Sequence, residues 1–584
     1  MPEYAAPVRE LKFVLDEIAD LPALAAYPTF SEATDELVTA VLDEAARLAN
    51  DVIAPLNAVG DTHGVKLGED GVVAAPGFVD AYAGHRDSGW LSLAIPAEHG
   101  GQGLPFALHI AVSEMWNAAN LSFALCPMLS MGAIEAVIKH GSDDIQARFL
   151  AELVDGSTTG TMNLTEPQAG SDLAAVKTMA VPDGDAFRVT GQKIYITWGD
   201  HDLTPNILHM VLARTPDAPP GVRGLSLFLV PKRLPNGEVN DVKTLSVEHK
   251  LGIHASPTCV LSFGDSGNGS VGYLIGELNQ GLACMFTMMN HARLEVGLEG
   301  VGLCDRALQA ARYYANERRQ GHQPGIDGQA PIIEHADVRR MLLTMRGLAE
   351  AGRAMTIYAG AALDRALYSD DERDAATWQQ RLELLTPIVK AWCTEVAQEA
   401  TSLGVQVHGG MGYVEETGVA QYLRDARITP IYEGTNGIQA ADFAGRKFLR
   451  DGGAAFAALA ADIETTCSEL AAADLGESAR ALETYLGLLK DAARAVRETA
   501  STPEHTGAQA YDFMMATGYL VGGWLMARQL LVAARHTGDN DAFLAGKRIS
   551  TRFYLSSLLP RVAAHCAAVT ADDNVAANAA PEFV

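Results

Sequence analysis

The chain has 584 residues with 44 basic against 72 acidic side chains, a formal net charge of −28; 48% are hydrophobic and 20% charged. That composition fits a soluble folded protein too long for one hydrophobic core, so three or more packed units are expected. The acidic balance argues against nucleic-acid partners and against electrostatic adhesion to anionic lipid.

Residues 1–34 read as an N-terminal extension, with no charged region followed by an apolar run and hence no secretory signal. Residues 35–160 read as a helical domain. Apolar residues recur at helical spacing from Ser31 to Leu56, and Ser31 is the expected N-cap. LAIPAEHGGQGLP (93–105) is punctuated by Pro and Gly and reads as a loop. Residues 161–280 change texture: FRVTGQKIYIT (187–197) is β-branched with an expected turn at Gly191, and NILHMVLART, GLSLFLVPK and TCVLSF are further strands. A compact antiparallel β domain is expected there. Residues 281–450 return to long helical patterns, and the alanine-rich 451–584 reads as an appended C-terminal helical domain.

The most apolar stretch, Phe513 to Ala527, is too short to span a membrane and ends at Arg528, so no transmembrane segment is expected. Its Gly518 and Gly522 point to a buried helix packed closely on a neighbour. The cysteines at 126, 259, 284, 304, 393, 467 and 566 are dispersed, with no CxxC pair. That pattern fits reduced thiols in a cytoplasmic protein and offers no metal site.

Four segments combine glycine-rich turns with polar side chains. MNLTEPQAGSD (162–172) can turn backbone amides toward one ligand around Thr165 and Ser171, though an ordinary helix–strand loop would look the same. KIYITWGD (193–200) places Tyr195, Thr197 and Trp198 at a strand end, where a planar group could lie; strand aromatics also serve simply as core. VQVHGGMGYVEE (405–416) lets a backbone or ligand approach at its glycines, and His408 there reads as structural more readily than as an acid or base. In YLRDARITPIYEGTNGIQAADFAGRK (422–447), Glu433 follows an apolar Ile-Tyr pair and precedes a helix start. Desolvation there would raise its proton affinity, as a general base near neutral pH requires. The rival role is a carboxylate holding backbone amides at a helix start.

Together these segments resemble the acyl-CoA dehydrogenase family. LTEPQAGSD, KIYIT, VHGGMGY and YLRDARITPIYEGTNGIQ match its signature stretches, as do GWLSLAIPAEHGGQGL and HKLGIHASPTC (249–259), across residues 35 to 450. The extended ends look like the larger subgroup that includes 3-methylmercaptopropionyl-CoA and long bacterial fatty-acyl-CoA dehydrogenases. The resemblance implies a mostly α fold: a helical N-terminal domain, a barrel-like middle β domain, a helical bundle carrying the base, and an extra C-terminal helical domain. It implies an FAD-dependent oxidoreductase of fatty acid metabolism and β-oxidation, with Glu433 as base. Some members carry the base just before the arginine that here is Arg293, but position 292 is alanine. The flavin contacts implied are Met162, Leu164, Thr165, Gly170, Ser171, Tyr195, Thr197 and Thr435. From a neighbouring subunit come Arg318, Gln406, Val407, Gly409 and Gly410. Tyr195 stands where a tryptophan is usual, and Gly321 lies near the place of an aromatic that commonly follows Arg318. Substrate contacts implied are Ser171, Asn290, Arg293 and Gly434. Arg446 could reach a CoA phosphate, or could simply stabilise a helix C-terminus.

The activity implied is α,β-dehydrogenation of an acyl-CoA to the trans-2-enoyl-CoA, with the thioester carbonyl held by a ribityl hydroxyl and the Glu433 amide, and electrons passed to an electron-transfer flavoprotein. A homodimer, or a dimer of dimers, follows from flavin sites completed across subunits. An acyl-CoA oxidase using O2, a dehydrogenase-like flavoprotein without that activity, and a scaffold protein are the alternatives. The acyl group stays open among long, medium and methylthio-substituted chains.

Overall fold

The computed structural model describes residues 3–536, 541–571 and 574–584. In chain order the front comprises α1 (Val8–Glu17), α2 (Leu21–Leu24), α3 (Asp35–Leu48), α4 (Leu56–His63), the hairpin β1 (Lys66–Gly68) and β2 (Gly71–Val73), α5 (Phe78–Asp87), α6 (Phe106–Ala119), α7 (Leu121–His140) and α8 (Asp143–Val154). A larger sheet follows: β3 (Thr158–Asn163), β4 (Met179–Asp183), β5 (Ala186–Thr197), β6 (Asn206–Arg214), β7 (Leu225–Pro231), β8 (Val242–Val247), β9 (Thr258–Phe263) and β10 (Ser270–Ile275). Long helices then return as α9 (Gly281–Glu317), α10 (Ala336–Tyr368) and α11 (Glu372–His408), with short α12 (Val419–Ala426) and α13 (Asn436–Ala441). The remainder is α14 (Ala454–Ala472), α15 (Gly476–Glu498), α16 (Pro503–Arg535), α17 (Ala542–Phe553), α18 (Arg561–Val569) and α19 (Val575–Asn578).

Packing divides the chain into two units that cut across this order. One comprises Met1–Ala46, Pro105–Ala118 and Arg293–Val584; the other comprises Arg47–Leu104 and Ala119–Ala292.

In the second unit the sheet runs β10-β7-β6-β4-β5-β9-β8, and a further β10–β5 pairing curls it toward a barrel. Every residue of β7 is buried, because the sheet is covered on both faces. Leu208, Met210 and Leu212 with Leu225, Leu227 and Leu229 meet the aliphatic sides of α7 and α8, while Val211, Phe228 and Val230 join the opposite core. The sheet is not wholly antiparallel: β3 pairs with β6 in parallel. Nor does the chain turn at Gly191. That glycine lies inside β5, where an added Cβ would sit 2.5 Å from Thr178 Oγ1, so it serves a close strand approach. At the front, α3 is capped by Thr34, whose Oγ1 accepts the Leu37 amide at 3.2 Å, rather than by Ser31.

In the first unit α9, α10 and α11 form the core of a helical assembly. Helix α9 lies almost backbone to backbone on α11. A Cβ at Gly297 would meet Val389 Cγ1 at 2.5 Å, and one at Gly300 would meet the Cys393 carbonyl oxygen at 2.5 Å. This approach sets Glu299, beside Gly300, against the α11 turn that carries Lys390. The stretch 513–527 lies buried inside α16, with Gly518 against Trp392 and Gly522 against Tyr554. Among the described residues, Leu121–His140 is long and apolar enough to cross a membrane, and 83% of its apolar window is buried inside the protein. All seven cysteines are buried and unbridged.

Replacing Gly300 with Ala puts a methyl group against backbone that cannot swing away. We expect a stability loss of about 1–3 kcal/mol, seen as a lower melting temperature.

Candidate active site

The turn that carries Glu433 forms because α12 ends at Ala426 and the next residues fold back on one another. The Ile431 and Tyr432 amides both donate to the Ile428 carbonyl, and the Asn436 amide donates to Pro430 at 3.0 Å. Thr435 then caps α13, accepting the Ile438 amide at 3.3 Å. Two consecutive residues take left-handed backbone: Glu433 at φ 55° and Gly434 at φ 81°. That conformation suits glycine and strains a glutamate, a cost of order 1–3 kcal/mol that surrounding contacts must hold in place. Gln439 supplies one such contact, its Nε2 donating to the Glu433 carbonyl at 3.0 Å.

Burial raises the Glu433 pKa above the ordinary carboxylate value, while Arg293 and Lys390 draw it back down. Arg293 is 4% exposed and stands 3.7 Å from Asp442. Asp442 also binds Arg446 Nε at 2.5 Å, so Arg446 is held on its own helix, with half its side chain exposed. Lys390 donates to Asn436 Oδ1 at 2.8 Å, and burial lowers its pKa to about 8. The Tyr432 hydroxyl donates to Glu299. Burial, above all, pushes Glu299 up to about 8, with the charges of Glu433 and Glu295 adding to the rise. From sequence Tyr432 reads only as an apolar neighbour of Glu433, and Lys390 and Glu299 carry no motif. Their signal was a charge inside otherwise apolar helical runs, LLTPIVKAWC and RLEVGLEGVGL.

In the second unit the MNLTEPQAGSD loop and the KIYIT strand come together. Ile194 donates its amide to the Thr165 carbonyl at 2.9 Å. Lys193 donates to the Leu164 carbonyl at 2.9 Å and to Glu166 Oε1 at 2.8 Å. Glu166 also accepts the Lys177 amide at 2.7 Å and the Thr178 hydroxyl at 2.6 Å. Burial alone would raise its pKa, but these donors hold it down to about 2, while burial lowers Lys193 to about 8. This buried pair anchors the loop and was missed from sequence.

The β5–β9 register shifts between Lys193 and Ile196, and Tyr195 at φ 59° leaves its ring 60% exposed. Thr165 and Thr197 are half-buried beside it, Met162 is buried, Leu164 is half-buried, and Gly170 and Ser171 are exposed. Asn290 is exposed on the N-terminal part of α9. An open ring face next to a loop of exposed backbone fits a flat, polar-edged group such as an isoalloxazine.

The remaining candidates form a separate cluster in the first unit. Tyr314 stacks on His408 with centroids 4.5 Å apart, joining the end of α9, before exposed Arg318, to the end of α11, with exposed Gln406, Gly409 and Gly410 around buried Val407. His408 Nδ1 bonds the Gly404 carbonyl at 2.7 Å, a structural role. Gln406 follows Lys390 by sixteen residues of α11, about 24 Å along the axis at ~1.5 Å per residue.

Family models match nearly the whole length. They are those of the acyl-CoA dehydrogenase N-terminal domain at 35–157, the middle domain at 161–266, the C-terminal domain at 279–447 and the acetyl-CoA dehydrogenase C-terminal-like domain at 459–580. The chain belongs to the acyl-CoA dehydrogenase family. It is 45% identical to 3-methylmercaptopropionyl-CoA dehydrogenase of Ruegeria pomeroyi, over 97% of this chain and 98% of that protein. It is 33% identical to the broad-specificity linear acyl-CoA dehydrogenase FadE5 of Mycobacterium tuberculosis, over 96% of each. A Bacillus anthracis acyl-CoA dehydrogenase solved with FAD shares the fold, with a TM-score of 0.75 at 21% identity over 95% of this chain and 91% of that one. The family is one of FAD-dependent oxidoreductases.

Lys193 and Glu166 have side chains 0% and 3% exposed, so removing one strands the other's charge. Lys193→Met should cost about 3–5 kcal/mol and loosen the loop beneath Tyr195. The checks are the melting temperature and the flavin retained after gel filtration.

Proposed function

We propose that this acyl-CoA dehydrogenase converts an acyl-CoA thioester to its trans-2-enoyl-CoA, with Glu433 as the base. The observation that carries the proposal is the setting of that carboxylate: burial raises its proton affinity above the ordinary carboxylate value, while Arg293 and Lys390 oppose that rise. A base near neutral pH needs both influences. Glu433 takes the α-proton, and its backbone amide meets the thioester carbonyl, stabilising the charge that grows on oxygen. Bound FAD supplies the acceptor for the β-hydride, and an electron-transfer flavoprotein draws the electrons off.

Thr165, Ser171, Tyr195 and Thr197 would hold the ring, with Met162, Leu164 and Gly170 along the same loop and Thr435 beyond the base. Arg318, Gln406, Val407, Gly409 and Gly410 would hold the far part of an FAD belonging to a second subunit. That division carries with it a homodimer. Asn290, Ser171, Arg293 and Gly434 would line the substrate, and Arg446, whose side chain is half exposed, would meet a CoA phosphate. The buried, unbridged cysteines support a reducing compartment such as the cytoplasm. The similarity to the Ruegeria enzyme supports 3-methylmercaptopropionyl-CoA as one member of the substrate panel, beside linear acyl-CoAs.

Glu433→Gln should keep the bound-FAD spectrum but slow flavin bleaching by acyl-CoA by about 10²–10⁴-fold. Bleaching at the normal rate would remove Glu433 from the mechanism. For Arg446→Ala we expect a rise in KM for CoA esters of roughly tenfold with kcat little changed; an unchanged KM would free this arginine from the phosphate role.

A further inference from the structure

Glu299 sits on α9 with 1% of its surface exposed, one turn beyond Glu295, another buried carboxylate. Glu295 is matched by His109 Nε2 at 2.9 Å, both within the first unit. Among the described residues Glu299 has no imidazole, ammonium or guanidinium partner of that kind. Its Oε2 accepts the Tyr432 hydroxyl, and its Oε1 is buried without a partner among the described residues. The nearby ammonium, Lys390, is committed to Asn436 Oδ1 instead. An ionised carboxylate closed off from water with one hydrogen bond and a bare oxygen is costly, and like charges on Glu295 and Glu433 add to that cost. The neutral acid is the form this pocket tolerates.

Tyr432 is the chain neighbour of Glu433, and Glu433 is the residue forced into left-handed backbone. A tether on the Tyr432 side chain therefore acts directly on the turn that aims the base. We propose that Glu299 is a positioning residue for Glu433: as a neutral acid bonded to Tyr432, it holds the 432–433 turn in place without setting a second negative charge beside the base. The inference rests on Glu433 being the base, and it adds a side-chain tether on Tyr432 to the hydrogen bond that Gln439 gives the Glu433 carbonyl. Arg293 on α9 and Lys390 on α11 tune the charge of Glu433; Glu299, through Tyr432, helps hold its backbone.

The groups that face Glu299 are Glu295 on its own helix, Lys390 on α11, and Tyr432 and Glu433 on the turn. Burial lifts the Glu299 carboxyl to about 8, so it is neutral at pH 7 and ionises as pH rises through that value. Lys390 titrates near the same point, so the alkaline behaviour is read by comparing variants rather than from one curve.

The experiment uses the full chain and three measurements. Glu299→Gln mimics the neutral acid and keeps an acceptor for Tyr432; Glu299→Leu removes it. Flavin bleaching by acyl-CoA should slow about a hundredfold in Glu299→Leu, the scale of a misplaced catalytic group. It should return to within a few-fold of wild type in Glu299→Gln at pH 7. The pH profile of bleaching in Glu299→Gln should follow wild type below pH 7 and depart from it above about 8. In the apo protein, the infrared C=O stretch of a buried carboxylic acid should titrate near pH 8 and vanish in Glu299→Gln. Full activity in Glu299→Leu, profiles that superimpose at every pH, or an infrared band unchanged in Glu299→Gln would each overturn the proposal. If Glu299→Leu does not fold, the Glu299→Gln profile and spectrum still decide. Wild-type protein that takes up FAD but is not bleached by any acyl-CoA would instead overturn the dehydrogenase function, leaving the infrared result to stand or fall by itself.

Discussion

A carboxylate at the edge of water is a poor base, and one sealed in an apolar interior either takes a proton or unfolds its surroundings. Glu433 is kept between those extremes by burial on one side and by two cations, Arg293 and Lys390, on the other. Neither cation is spent on the base alone. Arg293 is shared with Asp442, and Lys390 is pinned by the side chain of Asn436. Both positive fields oppose the rise that burial imposes on Glu433, and the Lys390 ammonium spends its hydrogen bond on Asn436.

That arrangement depends on helix packing. Helix α9 approaches α11 closely at Gly297 and Gly300, where any larger residue would hold the helices apart, and Arg293 of α9 and Lys390 of α11 both act on Glu433. Glu299, on the same stretch of α9, accepts the Tyr432 hydroxyl. Backbone strain at Glu433 is then sustained from two directions, by Gln439 on its carbonyl and by Tyr432 next to it in the chain. Strain of this kind persists only where neighbouring contacts over-determine it.

The second unit solves a different problem, holding a polar loop still beside an exposed aromatic ring. It does so with a buried ion pair whose acid also gathers donors from Lys177 and Thr178. A charge with all of its bonds made is tolerable in the interior, whereas the same charge half satisfied is not. The register shift in β5 completes the device, turning Tyr195 outward while Ile196 stays in the core.

Much of this protein was legible in the order of its residues. The short apolar runs NILHMVLART and GLSLFLVPK between turn residues, the helical spacing after residue 281 and the motif around Glu433 are local patterns, and local patterns follow from backbone geometry and from which side chains must leave water. Where local signals competed they misled. Gly191 reads as a turn, but it lies inside β5 with Thr178 packed against it, and Ser31 reads as a cap that Thr34 provides. What only the folded chain could decide was which charges share a pocket. Glu166 with Lys193, and Glu299 with Tyr432 and Lys390, are separated along the chain by spacings that carry no periodicity. Their meeting depends on how helices and strands stack, and a charge inside an apolar run says that a partner is needed without saying which one.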